Sequence, residues 1–238
     1  MNKKNKAKIN VLAILIFYII AIALRYLTNK TDLLEGVSSN FLKVALQGIS
    51  PAIGAMAAFY VFKIKPTLKL KGNYSKIRTP ILLYWALPVV LISSAEYLIK
   101  GTITPVTVLS ILMYGLLEEI GWRGFLQREL KPLPEVLNIL IVATLWFIWH
   151  LNFELTSANL LFFAILVLGS WGIGKVADST HSLLAVSAFH SLNNLFPALN
   201  FTKAILLMTL LSIWIISLII RKKRPAFHQR QLLSDSPQ

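Results

Sequence analysis

Two adjacent carboxylates inside an apolar stretch are the first residues of this chain that could do chemistry. Glu118 and Glu119 follow a run from Ser110 to Leu117 and are trailed by Arg123, Gln127, Arg128 and Glu129. An ionised side chain at mid-bilayer costs a few kcal/mol or more, so such residues mark a function by default. The bland alternative ends the apolar helix at Leu117 and leaves both carboxylates in water. Neighbouring residues on a helix point about 100° apart, so the two carboxylates have different surroundings. Glu119 and Arg123 are four apart and share a face, where they can pair. Glu118 then points elsewhere, where it can act as a general base.

Two further stretches carry polar groups among apolar ones. One ends Trp146-Phe-Ile-Trp-His150-Leu-Asn152, and the other contains His190 and Asn194, again four apart on one face. Singly, each has an ordinary explanation. A histidine at a helix end is commonly a satisfied boundary residue, and His and Asn hydrogen-bond across membrane helices. Together they assemble a hydrolytic set. A carboxylate and an imidazole, Glu118 and His150, can hold and deprotonate a water. A second imidazole and an amide, His190 and Asn194, can donate hydrogen bonds to the oxyanion formed at a scissile carbonyl. The same Glu118, His150 and His190 are also a zinc-type ligand set with one position left for water. There is no HExxH pattern, so two histidines of one helix do not supply such a site.

The elements that must position these groups are membrane helices. Of the 238 residues 56% are hydrophobic and only 14% charged, well below the quarter expected of a soluble domain. Stretches such as Val11–Leu24 and Ala204–Ile220 hold almost nothing ionisable. Seven or eight spans are expected, the eight candidates lying at roughly 11–28, 41–62, 80–99, 105–127, 136–152, 159–177, 182–199 and 203–220, of which the fifth and seventh are short. The fold class is therefore all-α, a polytopic membrane bundle forming a single domain over 1–238, with a polar basic tail at 221–238. Pro51 and Pro88 fall inside spans, which bilayer helices tolerate. Gly48, Gly54, Gly169, Gly172 and Gly174 are expected to let helices approach.

The formal net charge of +14 would suggest nucleic acid in a soluble protein. Here the basic residues sit between apolar runs and act as topological signals. The clusters are Lys3, Lys4, Lys6 and Lys8, the 63–79 loop, and Arg221 to Arg224. Eight spans put all three on one side, so both termini are expected in the cytoplasm. The N-terminal run is read as an uncleaved first span, with no cleavage pattern at Arg25–Lys30. No cysteine is present, which excludes thiol chemistry and any Cys-containing zinc site. No glycine-rich phosphate loop or internal repeat is found, which counts against a nucleotide-driven pump or a repeat-built transporter.

The order Glu118-Glu119-x-x-x-Arg123, Trp146-x-x-x-His150 and His190-x-x-x-Asn194, each motif on its own span, resembles the CPBP family. These are the CAAX-processing and bacteriocin-processing intramembrane endopeptidases, also called Abi proteins. The flanking Gly121-Trp122-Arg123-Gly124-Phe125 is similar too, and the likeness covers residues 80–220. The second motif usually begins with Phe; Trp146 stands there in this chain. The resemblance implies an endopeptidase in which Glu118 and His150 activate water and His190 and Asn194 hold the oxyanion, with Glu119 and Arg123 in support. It implies a peptide or protein substrate at the bilayer, lipidated or a peptide precursor. No nucleic acid is expected. The expected setting is the bacterial plasma membrane. A metal-independent glutamate mechanism is favoured over zinc, because Asn is a poor zinc ligand and a good oxyanion donor. A non-enzymatic bacteriocin immunity protein is the alternative of a different class.

Counted from the cytoplasmic ends of their spans, Glu118 and His150 differ in depth by roughly 6 Å at 1.5 Å per residue. Helix tilt has to close that gap if the two are to meet. Glu96 with Lys100, Asp178, His181, His228 and Asn193 are read as boundary, loop or outward-facing residues.

Overall fold

A computed structural model describes residues 8–234, with side chains through Lys222. Lys3, Lys4 and Lys6 of the basic N-terminus, His228 and the last four residues of the tail thus fall wholly or in their side chains outside the described residues. The chain is all-helical. α1 (Val11–Lys30) starts where the Asn10 side chain accepts a hydrogen bond from Ala13 N at 3.0 Å, a side-chain cap on an orphan donor. α2 (Asn40–Gly48) and α3 (Ser50–Val61) are bent against each other by 47°. The single continuous span expected over 41–62 is therefore broken. Pro51 lacks the N–H that would carry the helix through the junction.

α4 (Arg78–Lys100) holds Pro88 in its middle and tolerates it through a widened π-type stretch, Ile81–Ala86, just ahead of it. Gly101, at φ +68°, stops this helix in the left-handed conformation. α5 (Pro105–Gly121) opens on a proline in its first turn, where a missing N–H costs nothing. A π-type stretch, Trp122–Leu126, continues it into Gln127–Glu129. α6 (Glu135–Trp149) follows Pro134. α7 (Ser157–Thr180) and α8 (Leu183–Leu195) are capped by Thr156 and Ser182, whose hydroxyls accept from Asn159 N at 3.2 Å and Ala185 N at 3.3 Å. α9 (Phe201–Ser234) runs from the last apolar segment into the basic tail.

Helix thus underlies each of the eight segments read from the sequence. Four of these helices, Val11–Lys30, Arg78–Lys100, Ser157–Thr180 and Phe201–Lys222, are long and apolar enough to cross a bilayer, and the bent α2–α3 pair raises the number to five. α6 has 15 residues and α8 has 13, both short for a span, and α5 carries the charges of the site.

α5 is the central helix. It packs on α8, α2 and α3, while α1 lies on α3 and α6 on α7. Missing side chains set two of these distances. A Cβ on Gly115 would lie 2.5 Å from Ser191 Oγ and 3.0 Å from the Ser187 carbonyl of α8. A Cβ on Gly121 would lie 2.7 Å from the Pro51 carbonyl of α3. Of the glycines expected to admit close packing, Gly48, Gly54 and Gly174 do so, whereas Gly172 faces open space and Gly169 only ordinary contacts.

The loops gather at two ends. The 63–79 loop joins the α7–α8 turn through Lys69 N to His181 O at 3.0 Å and Asn73 N to Thr180 O at 2.8 Å. Arg128 donates to the Lys65 carbonyl, and Lys131 pairs with Asp178. One end of the bundle is therefore strongly basic.

Candidate active site

Glu118 and Glu119 are both fully buried, and Arg123 is 2% exposed, so the carboxylates do not sit in water beyond a helix end. Two side chains orient Glu118. Its Oε2 accepts from Trp122 Nε1 at 3.1 Å, one turn along the same helix, and from Trp146 Nε1 at 2.8 Å, across on α6. Its Oε1 is buried without a hydrogen-bond partner among the described residues. One oxygen is clamped and the other is left for a ligand.

Glu119 faces away to a different set of partners. Its Oε1 accepts from Arg123 Nη1 at 2.7 Å and lies 2.6 Å from His190 Nδ1. A carboxylate oxygen bound to a guanidinium is an acceptor, so Nδ1 is the donor in that contact. This fixes the imidazole with Nε2 on its far side, 3.9 Å from Glu118 Oε2. His190 therefore stands between the two carboxylates. The Arg123 guanidinium also stacks over Trp146, 4.6 Å from the ring centroid, so Trp146 braces both acidic residues.

His150 closes α6. Its Nδ1 lies 2.8 Å from the Trp146 carbonyl, which can only accept, so that nitrogen carries the proton. Nε2 is then left with its lone pair. Phe162 and Trp149 meet the ring edge-on at 4.8 and 5.1 Å and hold its plane. Asn194 lies exposed one turn beyond His190 at the end of α8, and its side chain makes no hydrogen bond among the described residues.

These groups converge on one cavity of about 830 Å³, whose polar wall is Glu118, His150, His190 and Asn194. Phe162, Ile165, Leu168 and Leu207 form part of its broad apolar wall. Glu118 and His150 share this space in spite of the depth difference counted along their spans. Trp146 bridges them, with its ring on one and its carbonyl on the other. Asn193 also lines the cavity, although the helical wheel turns it away from His190. At the last turn of α8 both amides reach the mouth.

Sequence reasoning misses two residues here. Trp122 stands in the sequence only as a motif flank, yet its indole holds Glu118. Tyr114 lines the cavity one turn before Glu118, its ring 6.5 Å from that of His190. The i, i+4 spacing of Tyr114, Glu118 and Trp122 is the signal that could find both. Among the described residues no three His, Asp or Glu side chains draw together as a ligand group for zinc.

The sequence also matches a protein-family model. Residues 100–196 match the type II CAAX prenyl endopeptidase, Rce1-like family. No curated protein and no solved structure gives a significant match to the chain. The matched stretch runs from the end of α4 to the end of α8 and contains every side chain of the polar wall. Residues 100–196 are thus similar to the Rce1-like type II CAAX prenyl endopeptidases, in keeping with the CPBP resemblance of the three motifs.

Proposed function

We propose that the protein is an intramembrane endopeptidase that hydrolyses a peptide bond of a membrane-associated or lipidated protein or peptide. The observation that carries this reading is the state of Glu118: one oxygen held by two indole N–H groups, the other without a partner on a cavity shared with His150, His190 and Asn194. A water between Glu118 Oε1 and His150 Nε2 loses its proton to this pair as its oxygen bonds to the scissile carbonyl carbon. The carbonyl π electrons move to oxygen. The Asn194 amide and the Nε2–H of a protonated His190, held from behind by Glu119, donate to that oxyanion. Collapse of the intermediate breaks the C–N bond, and the proton passes to the leaving amine. Glu119 and Arg123 position His190 and take no proton.

The favoured chemistry uses no metal. In a zinc-dependent version Glu118, His150 and His190 would be the ligands, and the ion would supply an acidified water. Chelation of the purified protein separates the two: retained cleavage supports the glutamate mechanism, and loss restored by zinc supports the other. The proposed topology has eight membrane passes with both termini in the cytoplasm of a bacterial cell, supported by the basic end of the bundle.

The reading is tested by incubating proteoliposomes with a library of lipidated and unmodified peptides and identifying products by mass spectrometry. Cleavage by the wild type and its loss in His190→Ala support it. An immunity protein that acts without cleavage would instead protect cells from a bacteriocin equally well as the wild type and as Glu118→Ala.

A further inference from the structure

We infer that Arg25 forms a subsite for a substrate carboxylate beside the catalytic cavity, an inference that rests on the endopeptidase reading. Arg25 lies on α1, outside the matched stretch 100–196, in a helix that is otherwise apolar until its last turn. A guanidinium at such a place needs an anionic or strongly polar partner. Arg123, the other arginine at the site, has Glu119. Arg25 has no carboxylate within ion-pair distance among the described residues. Its Nη1 donates to the Gln47 carbonyl at 2.9 Å, its plane stacks on Trp149 at 4.1 Å, and its Nε is buried without a partner. The guanidinium is thus held rigidly by two contacts while a donor stays unused.

Arg25 also lines a small cavity of about 270 Å³, with Asn29, Gln47, Tyr114 and Asn194 among its other walls. Tyr114 and Asn194 line the catalytic cavity as well, so they form the wall between the two spaces. Asn194 is the residue proposed to hold the oxyanion. A peptide with its scissile carbonyl at Asn194 has a short path past Tyr114 to Arg25. The second space is small, and five of its seven lining residues carry polar side chains, whereas the first is large and mostly apolar. It suits a compact charged group and not an acyl chain. A planar carboxylate takes two parallel N–H bonds from a guanidinium edge. A C-terminus a few residues beyond the scissile bond supplies one, and the subsite then selects for cleavage close to a chain end.

The test uses full-length protein in liposomes and a peptide that the wild type cleaves, made as the C-terminal acid and as the C-terminal amide. The wild type is expected to prefer the acid by about ten- to a hundredfold in kcat/KM, mostly through KM, the range of a hydrogen bond to a charged group. Arg25→Gln should bring the acid down to the level of the amide, and Arg25→Lys should keep part of the preference. Equal cleavage of acid and amide by the wild type, lost on Glu118→Ala, overturns the subsite and leaves the protease standing. An equal fall for both forms in Arg25→Gln makes Arg25 only a brace between α1, α2 and α6, and overturns it too. A preference that tracks the fraction of phosphatidylglycerol in the liposomes, and not the peptide terminus, assigns Arg25 to lipid phosphate and also overturns it. If Arg25→Gln does not fold, the acid–amide ratio in the wild type and in Arg25→Lys decides. Absence of any cleavage overturns this inference together with the reading beneath it.

Discussion

Trp146 donates its indole N–H to Glu118 Oε2 at 2.8 Å, across the gap between two helices. The bond does more than pack an aromatic ring beside a histidine. It fixes which carboxylate oxygen remains free, and through the Trp146 carbonyl it ties the rotamer of His150 to the same residue. Trp146→Phe keeps a ring at this place and removes the donor. One hydrogen bond to a charged group contributes about 1.5–3 kcal/mol. The turnover of Trp146→Phe should fall by about tenfold or more without vanishing, and Trp122→Phe should behave alike. An unchanged kcat in both variants would show that the clamp is not what aims Glu118.

The Glu119–Arg123 pair is a matter of stability first. Both side chains have no exposed surface, and the ion pair is 2.7 Å long. Removing one partner strands a buried charge, at a cost of about 3–5 kcal/mol. Arg123→Ala should therefore lower the unfolding temperature in detergent markedly and reduce the yield of folded protein. Glu119→Gln with Arg123→Ala should recover much of that loss, since no lone charge is left. Equal melting temperatures for the wild type and Arg123→Ala would contradict the pairing.

Close approach of α5 and α8 brings the carboxylates to His190. Gly115→Ala places a methyl 3.0 Å from the Ser187 carbonyl, a backbone atom that cannot swing aside. Activity should drop at least tenfold as His190 is pushed from Glu119. Gly36→Ala, away from the cavity wall, meets nothing within 4 Å and should leave activity as it is. The ratio of the two activities at equal protein level is the measurement. A ratio near one would mean that the helices have room to spare.

The chain has no cysteine, so single cysteines can map its orientation without background removal. Lys71→Cys at the basic end and Leu155→Cys, where the native side chain is 95% exposed, report opposite ends of the bundle. An impermeant thiol reagent added to intact cells should label Leu155→Cys and not Lys71→Cys, since basic loops stay inside. The reverse pattern would turn the protein over, and labelling of both would refute the arrangement of the loops.

Much of the site can be read from residue spacing. Glu119 with Arg123, and His190 with Asn194, follow from i, i+4 geometry on one face. What spacing cannot supply is the identity of the neighbour across a gap. Nothing local to Trp146 says that its N–H lands on Glu118. Nothing local to Arg25 places it at a cavity shared with residues of α5 and α8. A depth count along the spans fails to place Glu118 with His150 because it treats helices as straight and parallel. The π-type stretch Trp122–Leu126, which lies between Glu118 and the basic end of its helix, breaks that assumption. Asn193 escapes for a related reason, since the helical wheel loses meaning in the last turn, where side chains spread into the cavity mouth.

The central claim is that Glu118 drives peptide-bond hydrolysis, and the most direct test works without an identified substrate. Cells carrying the wild-type protein or Glu118→Ala, matched for membrane level and melting temperature, are compared by quantitative peptidomics of membrane and medium. The account predicts a defined set of new peptide termini present with the wild type and absent with Glu118→Ala. Identical termini in both would contradict it.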